Sequence, residues 1–187
     1  MHKYVLVLFG ILFSHISFAD NDSNVWQALK SPGAVVVLRH SQSPKTIDPA
    51  LAKIDSCAEE RNLDEQGRSQ AKAVGEAFKA HAISVGTDFS SPACRTRDTG
   101  ILAFKEVENW EALKGSKSDE SLLAVRMAET KDKLQTIHED KPIVLVTHGS
   151  VVYELVGKNL AMGEFAVLLP DANNSYTVAG SVLVPAQ

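Results

Sequence analysis

Short, continuously apolar runs alternate with amphipathic stretches along most of the chain. Two of these runs, at 34–38 and 143–146, are apolar at every position, which is typical of parallel strands buried on both faces. Apolar residues at helical spacing predict helices between the strands. The full set is helices at 21–30, 64–80, 95–104, 120–138 and 150–160, strands at 34–38, 85–90 and 143–146, and a terminal hairpin of strands 165–169 and 176–184. Strands that alternate with helices indicate an α/β sheet, here mainly parallel with an antiparallel edge.

The first 19 residues are predicted to be a signal peptide rather than part of the fold. A basic start, Met1-His2-Lys3, precedes about ten apolar residues, and Ser17-Phe18-Ala19 supplies the small residues of a cleavage site. The apolar segment is too short to span a bilayer comfortably, although an uncleaved anchor is the alternative. Residues 20–187 are then a single domain. We therefore expect a periplasmic or secreted protein with no stable membrane insertion after cleavage.

The charge balance excludes some classes of partner. The whole chain has a net charge of −4, and removal of residues 1–19 takes away one lysine, which leaves −5. A mildly acidic surface without a basic cluster argues against nucleic acid as a partner.

Export also changes how the two cysteines are interpreted. Cys57 and Cys94 both belong to the predicted mature protein, and an oxidising compartment would allow them to pair. The bridge would close a loop of roughly 37 residues, worth about 4 kcal/mol in the chain-entropy model. Two buried free thiols are the alternative.

Candidate chemistry lies where the predicted strands end. Arg39-His40 follows the first apolar run, Thr147-His148-Gly149 follows the second, and a Ser-Ser-Pro-Ala-Cys segment after the strand at 85–90 leads to Arg95. In an open α/β sheet the carboxyl ends of the strands are where ligands bind. Two histidines and two arginines at one edge would form a pocket for a phosphate group.

Other phosphate and hydrolase chemistries lack their motifs. The chain has no Gly-Lys-Ser/Thr loop for nucleotides, no arginine six residues after either cysteine, and no Gly-x-Ser-x-Gly elbow. The histidines of the predicted mature chain lack the close spacing of zinc sites, so no metal is expected. Histidine itself remains as the nucleophile, with Arg39 and Arg95 as bidentate phosphate ligands. His148, protonated when phosphate is bound, would add a third donor.

These strand ends belong to four sequence blocks that share a known pattern. The blocks are Val35-Val36-Val37-Leu38-Arg39-His40, the segment 62–71 that begins Asn62-Leu63-Asp64, the segment 89–99 that contains Arg95, and Val144-Leu145-Val146-Thr147-His148-Gly149. In order and spacing the chain resembles the histidine phosphatase superfamily, also called the phosphoglycerate-mutase-like or acid-phosphatase superfamily, and specifically its small, branch 1-like members. The resemblance implies a three-layer α/β/α sandwich and no metal or organic cofactor. It also implies that His40 is phosphorylated while Arg39, Arg95 and His148 bind the phosphoryl group.

The chain departs from this pattern at the proton donor. Many members carry a glutamate in a Leu-x-Glu pattern, where this chain has Leu113-Lys114-Gly115, and the acid-phosphatase branch has an aspartate where this chain has Gly149. Glu108 and Glu111, which flank Trp110, could substitute, although a solvated surface is the simpler interpretation. A smaller departure is Ser41, where the superfamily often has glycine.

The sequence therefore predicts an exported phosphoric monoester hydrolase that acts through phospho-His40. A missing donor favours phosphoramidates, anhydrides and aryl phosphates over sugar alkoxides, because poor leaving groups need a proton. The insert at 108–117 is short, which indicates an open pocket. Small molecules or phosphate groups on envelope glycans are the expected substrates, and phosphohistidine on a protein is another. A phosphate-binding or scaffold protein that has lost turnover is the competing hypothesis, and a mutase is a third.

Overall fold

A computed structural model of the chain describes residues 18–51, 57–115, 120–137, 139–173 and 175–186. Within these residues the helices are α1 (Phe18–Ala28), α2 (Glu65–Ala80), α3 (Cys94–Phe104), α4 (Glu120–Thr136) and α5 (Gly149–Val156). The strands are β1 (Val35–Arg39), β2 (Asp88–Ser90), β3 (Glu108–Asn109), β4 (Ile143–Thr147), β5 (Glu164–Pro170) and β6 (Tyr176–Leu183). No described helix is long and apolar enough to cross a membrane.

The strands form one mixed sheet in the order β3-β2-β4-β1-β5-β6. The pairs β1–β4, β2–β4 and β2–β3 are parallel, while β5 pairs antiparallel with both β1 and β6. The predicted parallel sheet with an antiparallel edge hairpin is confirmed.

Apolar side chains of the central strands alternate between two cores. Val36 and Val144 face one core together with residues of α1 and α2, and Val37 and Leu145 face the other with residues of α4 and α5. Strands that are apolar at every position are needed because helices cover both faces. The result is the three-layer α/β/α arrangement that the resemblance implies.

Several element boundaries differ from the prediction for local reasons. α1 begins at Phe18 and ends at Ala28, because the next residues form tight turns that lead to Gly33 with φ +72°. Residues 85–87, predicted as strand, precede β2 and do not belong to it. α5 stops at Val156 rather than near 160, because Gly157 adopts a left-handed conformation with φ +76° and caps the helix.

Two parts of the prediction lie wholly or partly outside the described residues. The predicted signal peptide falls on residues 1–17, which are not described, and on the first two residues of α1. The described part of the loop at 41–62 contains a 3-10 turn at Pro49–Leu51.

Candidate active site

The carboxyl ends of three neighbouring strands bring the predicted site residues together. β1 and β4 run in register with Arg39 opposite Thr147, and the backbone N–H of His40 donates to the Thr147 carbonyl at 2.9 Å. The His40 and His148 rings lie 5.6 Å apart between centroids. Arg95, at the start of α3, reaches His148 from the end of β2. Arg39, His40, Arg95 and His148 are called the strand-end cluster below.

His40 has a defined tautomer. Its ring is 4% exposed, and its Nδ1 lies 2.8 Å from the Ser41 carbonyl oxygen. Because a carbonyl only accepts, Nδ1 carries the proton and Nε2 keeps its lone pair. Burial lowers the pKa of His40 to about 4, against the hydrogen bond to Ser41, which raises it. The pKa is lowered further by the charges of Arg95, Arg39 and Arg61. At neutral pH His40 is therefore an uncharged imidazole with a lone pair on Nε2.

His148 is also neutral, with the opposite tautomer. Arg95 Nη2 donates to its Nδ1 at 3.0 Å, and its Nε2 lies 2.8 Å from Ser91 Oγ. Since arginine only donates, Nδ1 must accept and Nε2–H donates to the serine. Burial lowers the pKa of His148 to about 3, and the charge of Arg95 acts in the same direction. The protonated His148 expected from the sequence thus requires a bound phosphate, whose negative charge would raise this pKa.

The two arginines of the strand-end cluster carry unsatisfied buried donors. Arg39 Nη1 donates to the Leu160 carbonyl at 2.6 Å, but the Nε of Arg39 and the Nε of Arg95 are buried and have no hydrogen-bond partner among the described residues. Burial lowers the pKa of each guanidinium, although arginine stays charged at any physiological pH. A buried unpaired donor costs about 1–3 kcal/mol. Two charged side chains with unpaired buried donors are typical of a site that binds an anion.

Arg61 is a third cation at the site that the sequence analysis did not single out. Its Nε donates to the Pro44 carbonyl at 2.6 Å and its Nη2 to the Ser43 carbonyl at 3.2 Å. Its charge lowers the pKa of all four members of the strand-end cluster. The residue lies in the irregular loop, where no periodicity marks a side chain's direction, and one position before the Asn62 block that carries the family resemblance.

A disulfide joins the Arg61 segment to the start of α3. The structure links Cys57 to Cys94, the residue before Arg95, which is compatible with the predicted bridge. The backbone N–H of Cys94 also donates to Glu60 Oε2 at 3.0 Å. The segment that contains Arg61 is therefore joined to the start of α3, next to Arg95, by one disulfide and one hydrogen bond.

A second set of contacts fixes the backbone of His40. The Gly163 N–H lies 3.2 Å from the carbonyls of both Arg39 and His40. Gln70 Nε2 donates to the Met162 carbonyl at 2.9 Å, and Gln70 Oε1 accepts the N–H of Gln42 at 3.1 Å. A side chain at Gly163 would collide with Gln70, and its φ of +78° also favours glycine. Gln70 thus ties the segment after His40 to the turn before β5.

The structure gives no support to either predicted proton donor. Glu108 lies on β3 and lines a cavity of about 490 Å³ together with residues at the amino end of β2. Glu111 is 72% exposed at its side chain and pairs with Lys114 at 2.7 Å. Neither carboxylate is among the charges that shift the pKa of His40 or His148.

Gly115, at the Leu-x-Glu position, lies against His148. A Cβ on Gly115 would lie 2.8 Å from the Cβ of His148 and 3.0 Å from its Cγ. Carbon atoms do not approach so closely, so a side chain at 115 would displace the imidazole. A glutamate at position 115 would therefore require His148 to move from the position described here.

The comparisons with known proteins agree with this arrangement. The model of the histidine phosphatase superfamily (branch 1) matches residues 35–117, which include Arg39, His40 and Arg95. Over this part, which is less than half of its length, the chain resembles the histidine phosphatase superfamily. No curated protein matches the chain.

Solved structures share the histidine phosphatase fold at low sequence identity. The protein histidine phosphatase SixA complexed with tungstate is 16% identical, with a TM-score of 0.57 over 80% of this chain and 96% of SixA. A mutant phosphoserine phosphatase from Entamoeba histolytica, in complex with phosphoserine, is 16% identical, with a TM-score of 0.59 over 79% of this chain and 95% of that one. At these identities the likeness is one of fold.

Proposed function

We propose that the protein is a phosphatase that hydrolyses phosphomonoesters or similar phosphoryl compounds through a phosphohistidine intermediate on His40. The observation that carries this proposal is the state of the His40 ring. Its Nδ1 proton is fixed by Ser41, which leaves a neutral Nε2 beside two guanidiniums with unsatisfied buried Nε–H donors.

The reaction proceeds in two displacements. In the first, the Nε2 lone pair of His40 forms a bond to phosphorus as the bond to the leaving group breaks, and the leaving oxygen or nitrogen keeps that electron pair. Arg39 and Arg95 neutralise the oxygens of the transferring group. In the second, water attacks phosphorus, the P–Nε2 bond breaks, and inorganic phosphate leaves with the neutral imidazole restored.

The leaving group determines which substrates are favourable. General acid catalysis is worth about 10²–10⁴-fold, and neither Glu108 nor Glu111 contacts the strand-end cluster in the described structure. We therefore expect aryl phosphates, anhydrides and phosphoramidates to react faster than alkyl phosphates. Phosphohistidine is a phosphoramidate, and SixA is described as a protein histidine phosphatase. Phosphate groups on envelope glycans are the other candidate if residues 1–19 direct export.

The test compares the unreduced protein with His40→Ala on 4-nitrophenyl phosphate, ethyl phosphate and phosphohistidine. His81→Ala is the matched control, because His81 stacks on Trp26 in a different part of the molecule. We expect release from the wild type and His81→Ala alone, and an acid-labile phosphoprotein on rapid quenching. Equal release by His40→Ala would refute the nucleophile. Binding of vanadate without turnover on any substrate would favour the phosphate-binding or scaffold alternative.

A further inference from the structure

The protein satisfies the Nε of Arg61, whereas Arg39 and Arg95 are each held only through an Nη atom. The Nε and Nη2 of Arg61 donate to carbonyls of Pro44 and Ser43, in the segment that follows the nucleophile. The Nε atoms of the other two arginines have no protein partner. The Nε of Arg61 is therefore satisfied without a phosphate, whereas the Nε atoms of Arg39 and Arg95 are left for an anion.

The Nη1 of Arg61 is not used by these hydrogen bonds. No described residue accepts a hydrogen bond from its Nη1, which has two N–H groups. The segment that carries Arg61 is tied to the start of α3 by the Cys57–Cys94 bridge and by Glu60. This Nη1, which has no acceptor among the described residues, thus belongs to a side chain held by the segment after His40 and tied to the start of α3.

The number of cations exceeds what one phosphoryl group needs. No described carboxylate lies within salt-bridge distance of Arg39, Arg61 or Arg95. The nearest acidic influence is Glu60, which acts on Arg95 and is already hydrogen-bonded to the Cys94 N–H. A phosphomonoester has two negative charges, which Arg39 and Arg95 match. One guanidinium is left over at the site.

We propose that Arg61 is a specificity-determining residue that binds a second anionic group of the substrate, next to the phosphoryl group that His40 accepts. The preferred substrates are then phosphoryl compounds with a neighbouring phosphate or carboxylate. This inference rests on the proposed function, because it assigns the transferred phosphoryl group to Arg39 and Arg95.

The test uses two ligands that cannot be hydrolysed and differ by one anionic group, methylphosphonate and methylenediphosphonate. Their dissociation constants are measured by isothermal titration calorimetry on the unreduced protein, on Arg61→Gln and on Arg61→Lys. Arg97→Gln is the control, because it removes the same charge from α3 at a residue outside the strand-end cluster. A charge-assisted contact predicts that the wild type binds the diphosphonate about tenfold more tightly or better. Arg61→Gln should lose that preference while its affinity for methylphosphonate changes less than about threefold.

The other outcomes overturn the inference. An equal loss of affinity for both ligands in Arg61→Gln would mean that Arg61 binds the transferred group or only holds the 43–44 segment. No loss, or the same loss in Arg97→Gln, would mean that Arg61 is not a ligand. Arg61→Lys keeps the charge and should retain part of the preference, which a purely structural role would not. Neither ligand requires turnover, so a protein that binds both but hydrolyses nothing would refute the phosphatase proposal separately.

Discussion

The Nδ1 of His40 donates its proton to the carbonyl of Ser41, the next residue, at 2.8 Å. A histidine held in this way presents Nε2 to a substrate without any rearrangement. The orientation depends on the backbone alone, so the side chain at 41 has no part in it. This accounts for a serine at a position where the superfamily often has glycine.

We expect His40 to remain neutral far below the ordinary histidine pKa. Burial and three arginines lower its pKa to about 4, so the imidazole should be uncharged from pH 8 down to about pH 5. NMR titration of protein with ¹³C-labelled histidine would follow the ring, with His40→Asn to assign the signal. A midpoint near 6.5 would contradict the described environment.

Substitution of Arg95 should affect catalysis and the state of His148 together. Arg95→Gln removes one of the two proposed phosphate ligands, and we expect kcat/KM to fall by about 10²–10³-fold. It also removes the charge that, after burial, does most to lower the pKa of His148, so that pKa should rise. Arg95→Lys should recover only part of the rate because it lacks the bidentate fork. Steady-state kinetics and the same NMR titration measure both effects; an unchanged His148 midpoint would disprove the contact.

Gly115→Ala should impair activity by displacing His148. The added methyl group would lie 2.8 Å from the His148 Cβ, so the ring must shift by a few tenths of an ångström or more. We expect kcat/KM to fall by about tenfold or more, since small misplacements of catalytic groups cost large factors. Gly149→Ala is the control, because its Cβ would make only an ordinary 3.5 Å contact with Arg39. Equal activity of the two variants would show that His148 is not confined by Gly115.

The sequence predicted the parts of this molecule that local pattern determines. β1 and β4 are apolar at every position because both faces are covered, and the prediction placed them within one residue. β3 was missed because it has only two residues, Glu108 and Asn109, both exposed, so no pattern marks it. α5 was predicted too long because Leu160 lies at helical spacing from Val156, while the left-handed Gly157 ends the helix.

The sequence predicted the site residues that lie at strand ends, but it did not predict the one that lies in an irregular loop. Arg39, His40 and His148 are placed by the parallel register of β1 and β4. Arg61 reaches the site only through carbonyls of Pro44 and Ser43, contacts that depend on how the loop folds back. The absence of a glutamate at 115 was visible in the sequence, but the close packing of Gly115 against His148 is a tertiary contact that the sequence does not show.

Loss of the Cys57–Cys94 bridge should destabilise the protein and weaken phosphate binding. The bridge closes 37 residues, for which the chain-entropy model gives about 4 kcal/mol of unfolding free energy. Denaturant melts of the Cys57→Ser/Cys94→Ser double variant measure this loss, and vanadate affinity measures the effect on Arg95. Thiol titration of unreduced, unfolded wild type should find no free thiol. Two titratable thiols would disprove the bridge. As a control, reductant should lower the stability of the wild type but leave that of the double variant unchanged.

The buried Asp88 should lower the free energy of unfolding as pH rises, whereas His40 and His148 should raise it. Both carboxylate oxygens of Asp88 are buried and have no hydrogen-bond partner among the described residues, and burial raises its pKa well above the ordinary value, which favours the protonated form in the folded protein. The folded state therefore binds one more proton than the unfolded state from about pH 4 up to the folded pKa, and the unfolding free energy declines over that window. His40 and His148 act in the opposite sense between their lowered pKa values and about 6.5, but identically in wild type and in Asp88→Asn. The difference in melting temperature, Asp88→Asn minus wild type, isolates Asp88 and should grow as pH rises from about 5 up to the folded pKa. A difference that does not change with pH would show that the Asp88 carboxyl is ionised in the folded protein.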